Sequence, residues 1–110
     1  MASTYKVLGQ ANPANTSAAA LYTVPSGGQA VVSTISIANV SAAAASFSIN
    51  IGVDGAANSD SNALAKGVAI GPNSIVTLTL GVTADAGDVI RVTSSVANAL
   101  TFQAFGLEII

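Results

Sequence analysis

Two acidic side chains three residues apart are the first candidates for chemistry in this sequence. Asp85 and Asp88 lie in the segment ADAGD, between two stretches of alternating apolar residues. A pair of carboxylates can serve as general acid and general base when both face one cleft. Asp side chains in turns also accept hydrogen bonds from nearby backbone N–H groups. The short spacing within a turn favours this structural role for Asp85 and Asp88.

Few other side chains could take part in catalysis. The chain has no His and no Cys, so it lacks the commonest general base, a thiolate nucleophile, disulfides and zinc–thiolate ligands. It also has no Gly-x-Ser-x-Gly elbow and no phosphate-binding glycine loop. We therefore predict a protein that is not an enzyme and that has no catalytic residues, no cofactor and no metal.

One polar segment, residues 54–62 (DGAANSDSN), concentrates side chains that carry oxygen. Asp54, Asn58, Asp60 and Asn62 offer the type of ligand that a hard cation such as Ca²⁺ prefers. The segment lacks the spacing of an EF-hand loop and its terminal Glu. An exposed polar loop without a metal is therefore the preferred interpretation.

Five further residues have a chemical and a structural interpretation. Lys66 and Arg91 are isolated in strand-like segments, where each could pair with an acidic residue across a subunit boundary or remain an ordinary solvated charge, which we favour. The aromatic residues Tyr22, Phe47 and Phe102 could form a carbohydrate platform only if they were exposed. Their alternating contexts predict core positions instead.

The elements that carry these residues are predicted to be strands. Within residues 29–53, apolar side chains recur at every second position, which is the period of a strand with one buried face. We predict strands at 30–40 and 46–53, joined by the turn 41–45. The apolar positions that share a face are Val31, Ile35 and Ile37 in the first run and Phe47, Ile49, Ile51 and Val53 in the second.

The same alternation predicts further strands at 18–24, 66–70, 74–80, 88–94 and 100–110, with a connection at 81–87. In the last strand the buried face is expected to change at Gly106, so that Leu107 and Ile109 replace Phe102 and Ala104. Seven or eight strands without a helix predict an all-β fold, an antiparallel β-sandwich or jelly roll. Residues 1–17 are predicted to form an N-terminal arm, in which Tyr5–Leu8 is either a short strand or an extended segment, and 18–110 the sandwich. The predicted core comprises Ile35, Ile37, Phe47, Ile49, Ile51, Leu78, Ile90, Val92 and Phe102.

Composition restricts the partners of this domain. Hydrophobic residues make up 51% of the 110 residues and charged residues 7%, with a net charge of −2. Three basic residues cannot form the basic footprint of a nucleic-acid-binding protein. No apolar run approaches the ~18 residues of a membrane span, and no signal peptide is expected. Because a neutral surface is poorly protected against association, we predict a homo-oligomer, either a trimer or a dimer.

Three segments resemble a family of small virion structural proteins of tailed bacteriophages, including those that infect cyanobacteria. They are LYTVP at 21–25, TLTLG with GDVIRV within 77–92, and the aromatic strand FGLEI at 105–109. The resemblance covers roughly residues 18–110 and rests on turns and strands.

The resemblance implies a virion component without enzymatic activity. A capsid cement protein that decorates the head and binds the major capsid protein fits the small, nearly uncharged chain best. A component of the neck, tail or fibre base is the alternative, including a module that recognises host-surface glycans through aromatic residues in its loops. A hydrolase of cell-wall polymer would need an acid/base pair for which the sequence offers no good candidate.

Overall fold

The computed structural model describes residues 2–110, which form eight strands and two short 3₁₀ turns. The 3₁₀ turns are Val53–Gly55 and Asp60–Asn62, and these residues include no α-helix. The strands, in chain order, are β1 (Ser3–Ala11), β2 (Ala19–Thr23), β3 (Gln29–Asn39), β4 (Ala45–Gly52), β5 (Ala63–Ile70), β6 (Ile75–Asp85), β7 (Val89–Ser94) and β8 (Leu100–Ile109).

The strands form two four-stranded antiparallel sheets. The first has the order β1-β8-β3-β6 and the second the order β2-β7-β4-β5. β1 pairs with β8, β2 with β7, β3 with β6 and β4 with β5. The pairs are nested as in one long hairpin whose successive parts belong to alternate sheets. Such nested pairing is the arrangement of a jelly roll. The predicted all-β antiparallel sandwich is therefore confirmed.

The core lies between the two sheets and is built from apolar residues at alternating strand positions. The rings of Phe47 and Phe102, one from each sheet, meet edge to face at a centroid distance of 6.3 Å. Seven of the nine predicted core residues are buried, whereas Ile51 and Leu78 are half-buried and pack against the others. Tyr22, Phe47 and Phe102 are all buried, as predicted.

A row of register shifts crosses the first sheet and changes the buried face of β3. Pairing of β3 with β8 skips Ser33, so that Val32 lies opposite Gly106 and Thr34 opposite Phe105. Val32 is buried on one side of the shift and Ile35 on the other, while Val31 is only half-buried. The prediction that Val31 shares a face with Ile35 was wrong because one inserted residue reverses the alternation. Val53, expected to follow Ile51, lies exposed in a 3₁₀ turn.

The predicted change of face in β8 was also wrong. The register does shift at Phe105 and Gly106, but the extra residues belong to the neighbouring strands. Alternation in β8 therefore continues without interruption, and Glu108 takes the buried position after Ala104. Leu107 and Ile109 lie half-buried on the opposite face.

The predicted N-terminal arm is a strand of the sandwich for most of its length. Residues 3–11 form β1 and pair with β8 along the edge of the first sheet. Leu8 is the residue inserted at the register shift, and its side chain belongs to the core. Burial of Leu8 ties this segment to the domain, so it is not a separate limb. Met1, the first residue of the predicted arm, lies outside the described residues.

The strands β6 and β2 also differ from the prediction, β6 in its length and β2 in its burial pattern. The connection expected at 81–87 is mostly strand, because β6 continues to Asp85 after an irregularity at Gly81, where φ is +63°. In β2, a register shift between Ala20 and Tyr22 allows both Leu21 and Tyr22 to be buried, although adjacent residues of a regular strand face opposite sides.

Ile49→Ala should lower the free energy of unfolding by about 2–5 kcal/mol, because Ile49 is fully buried and truncation leaves a cavity. Ile75→Ala removes the same atoms from a side chain that is 64% exposed, so it should change stability by about 0.5 kcal/mol or less. Urea denaturation of both variants measures the difference. Equal losses for the two variants would contradict this assignment of the core.

Candidate functional site

The carboxylates of Asp85 and Asp88 both accept hydrogen bonds from backbone N–H groups. The carboxylate of Asp88 is buried and accepts hydrogen bonds from the backbone N–H groups of Asp54, at 3.0 Å, and Asp85, at 2.9 Å. Asp85 is exposed and accepts a bond from the N–H of Ala86. Asp88 therefore fastens the β6–β7 turn to the segment after β4, which is the structural role that the sequence favours.

The polar segment 54–62 is folded back onto the outer face of the second sheet. The guanidinium of Arg91 donates hydrogen bonds to the carbonyl oxygens of Ala56, at 2.6 Å, and Gly55, at 3.1 Å. Asn50, buried on the same face, donates to the carbonyl oxygen of Ser59 and to Oδ1 of Asn62. Arg91 thus holds a loop of its own chain, a role that the sequence did not reveal.

Two of the four candidate cation ligands of this segment, Asp60 and Asn62, are engaged with other groups of the chain. Oδ1 of Asn62 accepts from Asn50 and from the N–H of Ser59, and the carboxylate of Asp60 pairs with Lys66 at 2.6 Å. Within residues 2–110, no group of three or more His, Cys, Asp or Glu side chains is placed to hold a metal ion. The Lys66–Asp60 pair is exposed, so it contributes little to stability.

A charged network missed by sequence reasoning lies between the sheets near the chain termini. Glu108 of β8 is 6% exposed and accepts a hydrogen bond from the hydroxyl of Tyr22 in β2 at 2.5 Å. Nζ of Lys6 in β1 lies 2.8 Å from the other carboxylate oxygen. The only sequence signal was a single Glu within an apolar strand, because β1, β2 and β8 meet only in the tertiary structure.

The network shifts the pKa values of its two acidic groups, the carboxyl of Glu108 and the phenol of Tyr22. The hydrogen bond from Lys6 and then that from Tyr22 lower the pKa of Glu108, against the opposing effect of burial. Burial raises the pKa of Tyr22, and its hydrogen bond to the Glu108 carboxylate adds to the shift. Both shifts favour a carboxylate that accepts from a neutral phenol, so the network links the two sheets.

The outer face of the first sheet is divided into an apolar half and a polar half. Strand register places the side chains of Tyr5, Leu107 and Val31 in one row across β1, β8 and β3. The adjacent row contains Val7 and Phe105. We call this set, together with Ile109, the apolar patch; its members are Tyr5, Val7, Val31, Phe105, Leu107 and Ile109. Tyr5 is 85% exposed and Val7 48% exposed.

The polar half of the same face begins at Gln103, two residues before Phe105 in β8. Gln103 lies between Gln10 of β1 and Ser36 of β3, and the two glutamine side chains are hydrogen-bonded at 2.8 Å. Two charged residues of the neighbouring strands β1 and β8 lie off the apolar patch, because Lys6 and Glu108 face the other sheet. The patch is therefore an uncharged surface that can be covered without burying an unpaired ion.

A cavity of about 370 Å³ borders the apolar patch at the ends of β3 and β6. Gln29, Val31, Thr83 and Ile109 line it, together with Asp85 and Asp88. The Asp88 carboxylate already accepts two backbone hydrogen bonds. The cavity therefore does not present a set of convergent free polar groups of the kind that orients a small ligand.

No protein-family model matches the chain, and no curated protein is significantly similar to it. In the part of the chain that the structure describes, no helix is long and apolar enough to cross a membrane.

Glu108→Gln should change the pH dependence of stability. Because the folded-state pKa of Glu108 is lowered, its contribution is complete above the unfolded-state value of about 4.5 and is lost as pH falls through the folded-state value. The unfolding free energy of the unmodified protein should therefore decline more steeply below about pH 4.5 than that of Glu108→Gln. Asp60→Asn removes one acidic group from an exposed ion pair and is the matched control for the loss of a single negative charge. Parallel curves for Glu108→Gln and the unmodified protein would refute the assignment.

Asp88→Ala should destabilise the fold by about 1–3 kcal/mol, because it leaves the N–H groups of Asp54 and Asp85 without their acceptor. Asp85→Ala removes one exposed acceptor and should cost less. Chemical denaturation of the two variants gives the comparison. Hydrolysis of cell-wall polymer or glycan that is lost on Asp85→Asn or Asp88→Asn would show instead that these residues act in catalysis.

Proposed function

We propose that this protein is a non-enzymatic structural component of a bacteriophage virion, and specifically a cement protein of the capsid. It would bind the major capsid protein on the outer surface of the assembled head and bridge neighbouring subunits as a homo-oligomer. The apolar patch is the observation that carries this proposal, because it is an uncharged surface on a rigid sheet. The resemblance of residues 18–110 to virion proteins supplies the biological setting.

The physical role follows from the character of the patch. A fully exposed Leu side chain gains about 1.5–3 kcal/mol when it becomes fully buried, and the half-buried Leu107 gains a part of this. Many copies of a modest contact would hold the lattice against internal pressure. Since screening by salt acts on charges and not on buried apolar area, such contacts are insensitive to ionic strength.

The position of β1 changes how the proposal is tested. Residues 1–17 would act as a clamp if they were a free arm, and their deletion would be the natural test. In the fold, this deletion would remove β1 and the core residue Leu8. Point substitutions on the outer face are therefore the cleaner probe of capsid binding.

A neck, tail or fibre-base protein is the alternative within a virion, and it would use the same surface in fewer copies. A glycan-binding module is less well supported, because the loops between the strands contain no aromatic residue. The one strongly exposed aromatic side chain, Tyr5, lies on β1 beside other apolar residues.

Leu107→Asn should weaken binding to bare capsids by roughly tenfold or more, since it removes at least about 1.4 kcal/mol of apolar contact. Thr101→Asn introduces the same amide in the polar half of β8 and is the matched control. The measurement is cosedimentation of purified protein with capsids at low and high salt. Affinity that falls steeply with salt would contradict apolar bridging.

Imaging of intact particles at residue resolution tests the location. Hundreds of copies over the head are expected of a cement protein. Density only at the neck or tail tip would refute the cement role but would be consistent with another structural role in the virion.

A further inference from the structure

The first half of β1 is an open edge of the first sheet. All five residues from Ser3 to Val7 are exposed, whereas Leu8 is buried. From Gly9 onward the strand runs close to β2, because a Cβ on Gly9 would lie 2.0 Å from the carbonyl oxygen of Leu21. The open edge is therefore limited to residues 3–7.

Along this edge, every second residue directs its backbone N–H and C=O groups away from the sheet. Ala2 and Ile110 exchange both of their backbone hydrogen bonds, at 2.7 and 2.9 Å. In an antiparallel ladder such pairs alternate with pairs that do not bond each other. Continuing the register, Thr4 and Lys6 bond to β8, while the N–H and C=O groups of residues 3, 5 and 7 point to the open edge.

Two of the other three edges are poorly suited to pairing with a further strand, and the third, β6, is interrupted part of the way along. The β2 edge is only five residues long and contains a register shift. The β5 edge contains the charged Lys66 and Gly67, where φ is +61°, and β6 is interrupted at Gly81. Short strands, bulges and charges are the usual means by which proteins protect an edge. Residues 3–7 are regular, and their one charge is paired inward with Glu108.

We propose that this edge binds a second copy of the chain, by antiparallel pairing of residues 3–7 about a two-fold axis through Tyr5. In this register Tyr5 lies opposite the Tyr5 of the second copy, and Ser3 lies opposite its Val7. All three outward-facing residues then form hydrogen-bonded pairs with the second copy. A two-fold interface requires a self-complementary surface, and this segment meets that requirement in its hydrogen bonds and its apolar side chains.

The pairing joins the two first sheets into one sheet of eight strands. Because Tyr5 and Val7 lie on the outer face, the apolar patches of the two copies become adjacent across the axis. Lys6 faces the inner side, where its own Glu108 neutralises it. The dimer therefore places no unpaired charge at its centre and presents one continuous apolar surface.

Pairing of five residues buries less than the roughly 1,200 Å² of a stable interface, so the dimer should depend on concentration. Attachment to a common surface raises effective concentration, which would favour the dimer on a lattice. The inference thus deepens the proposed structural role by naming one partner. It is tested on the isolated protein, so its failure and that of the capsid experiment are distinguishable.

The first test uses Tyr5→Cys. The chain has no native cysteine, so any disulfide must join two copies. Directly opposed residues of a hydrogen-bonded pair have a Cα separation of about 5.5 Å, which a disulfide can span. Mild oxidation should give a covalent dimer for Tyr5→Cys and leave Thr77→Cys, on the opposite edge of the same sheet, monomeric. Equal yields for the two variants would overturn the proposal.

The second test uses charge. Tyr5→Lys places two like charges directly opposite each other at the axis, which destabilises a strand pair. Sedimentation over a range of concentrations should show the unmodified protein and Thr77→Lys shifting from one chain of 10.7 kDa toward two, and Tyr5→Lys remaining a single chain. A monomer at every concentration for the unmodified protein would overturn the proposal. A dimer that persists in Tyr5→Lys would overturn it as well, because the chains would then associate through another surface.

Discussion

The row of register shifts across the first sheet is the constraint on which the rest of the structure depends. β8 keeps its alternation from Leu100 to Glu108, while β1 inserts one residue between the levels of Ala104 and Phe105, and β3 inserts one between Phe105 and Gly106. Gly106 is required there, because a Cβ would lie 2.0 Å from the carbonyl oxygen of Val31. The close passage of these backbones reverses the face of β3 and bends the sheet, as bulges do.

The uninterrupted alternation of β8 produces an inversion of polarity at the end of the sandwich near the termini. Beyond the shift, continued alternation turns Glu108 inward and leaves Leu107 and Ile109 on the outer face. The buried carboxylate is stable because Tyr22 and Lys6 satisfy it from two other strands. The domain thus has a charge inside and an apolar patch outside at one level of the sheet, which is the reverse of the usual distribution.

The position of the apolar patch on the outer face relates the fold to the proposed role. Side chains on a hydrogen-bonded sheet are held by an ordered backbone, so an apolar surface there can be covered without loss of much conformational entropy. The open edge of β1 borders the patch, and both are free of unpaired charge. Contacts along the edge and across the face can therefore act together. A structural protein that is present in many copies needs this combination of weak, repeated and orientation-specific contacts.

The sequence by itself determined the fold class and most of the core, because period-two alternation and turn residues are local signals that recur along most of the chain. Ile35, Phe47, Ile49 and Phe102 were predicted correctly on that basis. Only the tertiary structure decided the face of Val31, the burial of Glu108, the bonds of Arg91 and the place of residues 3–11 in the sheet. Each depends on which strands lie side by side, and pairing between residues 86 or more positions apart, as in Tyr22 and Glu108, leaves no local pattern in the chain.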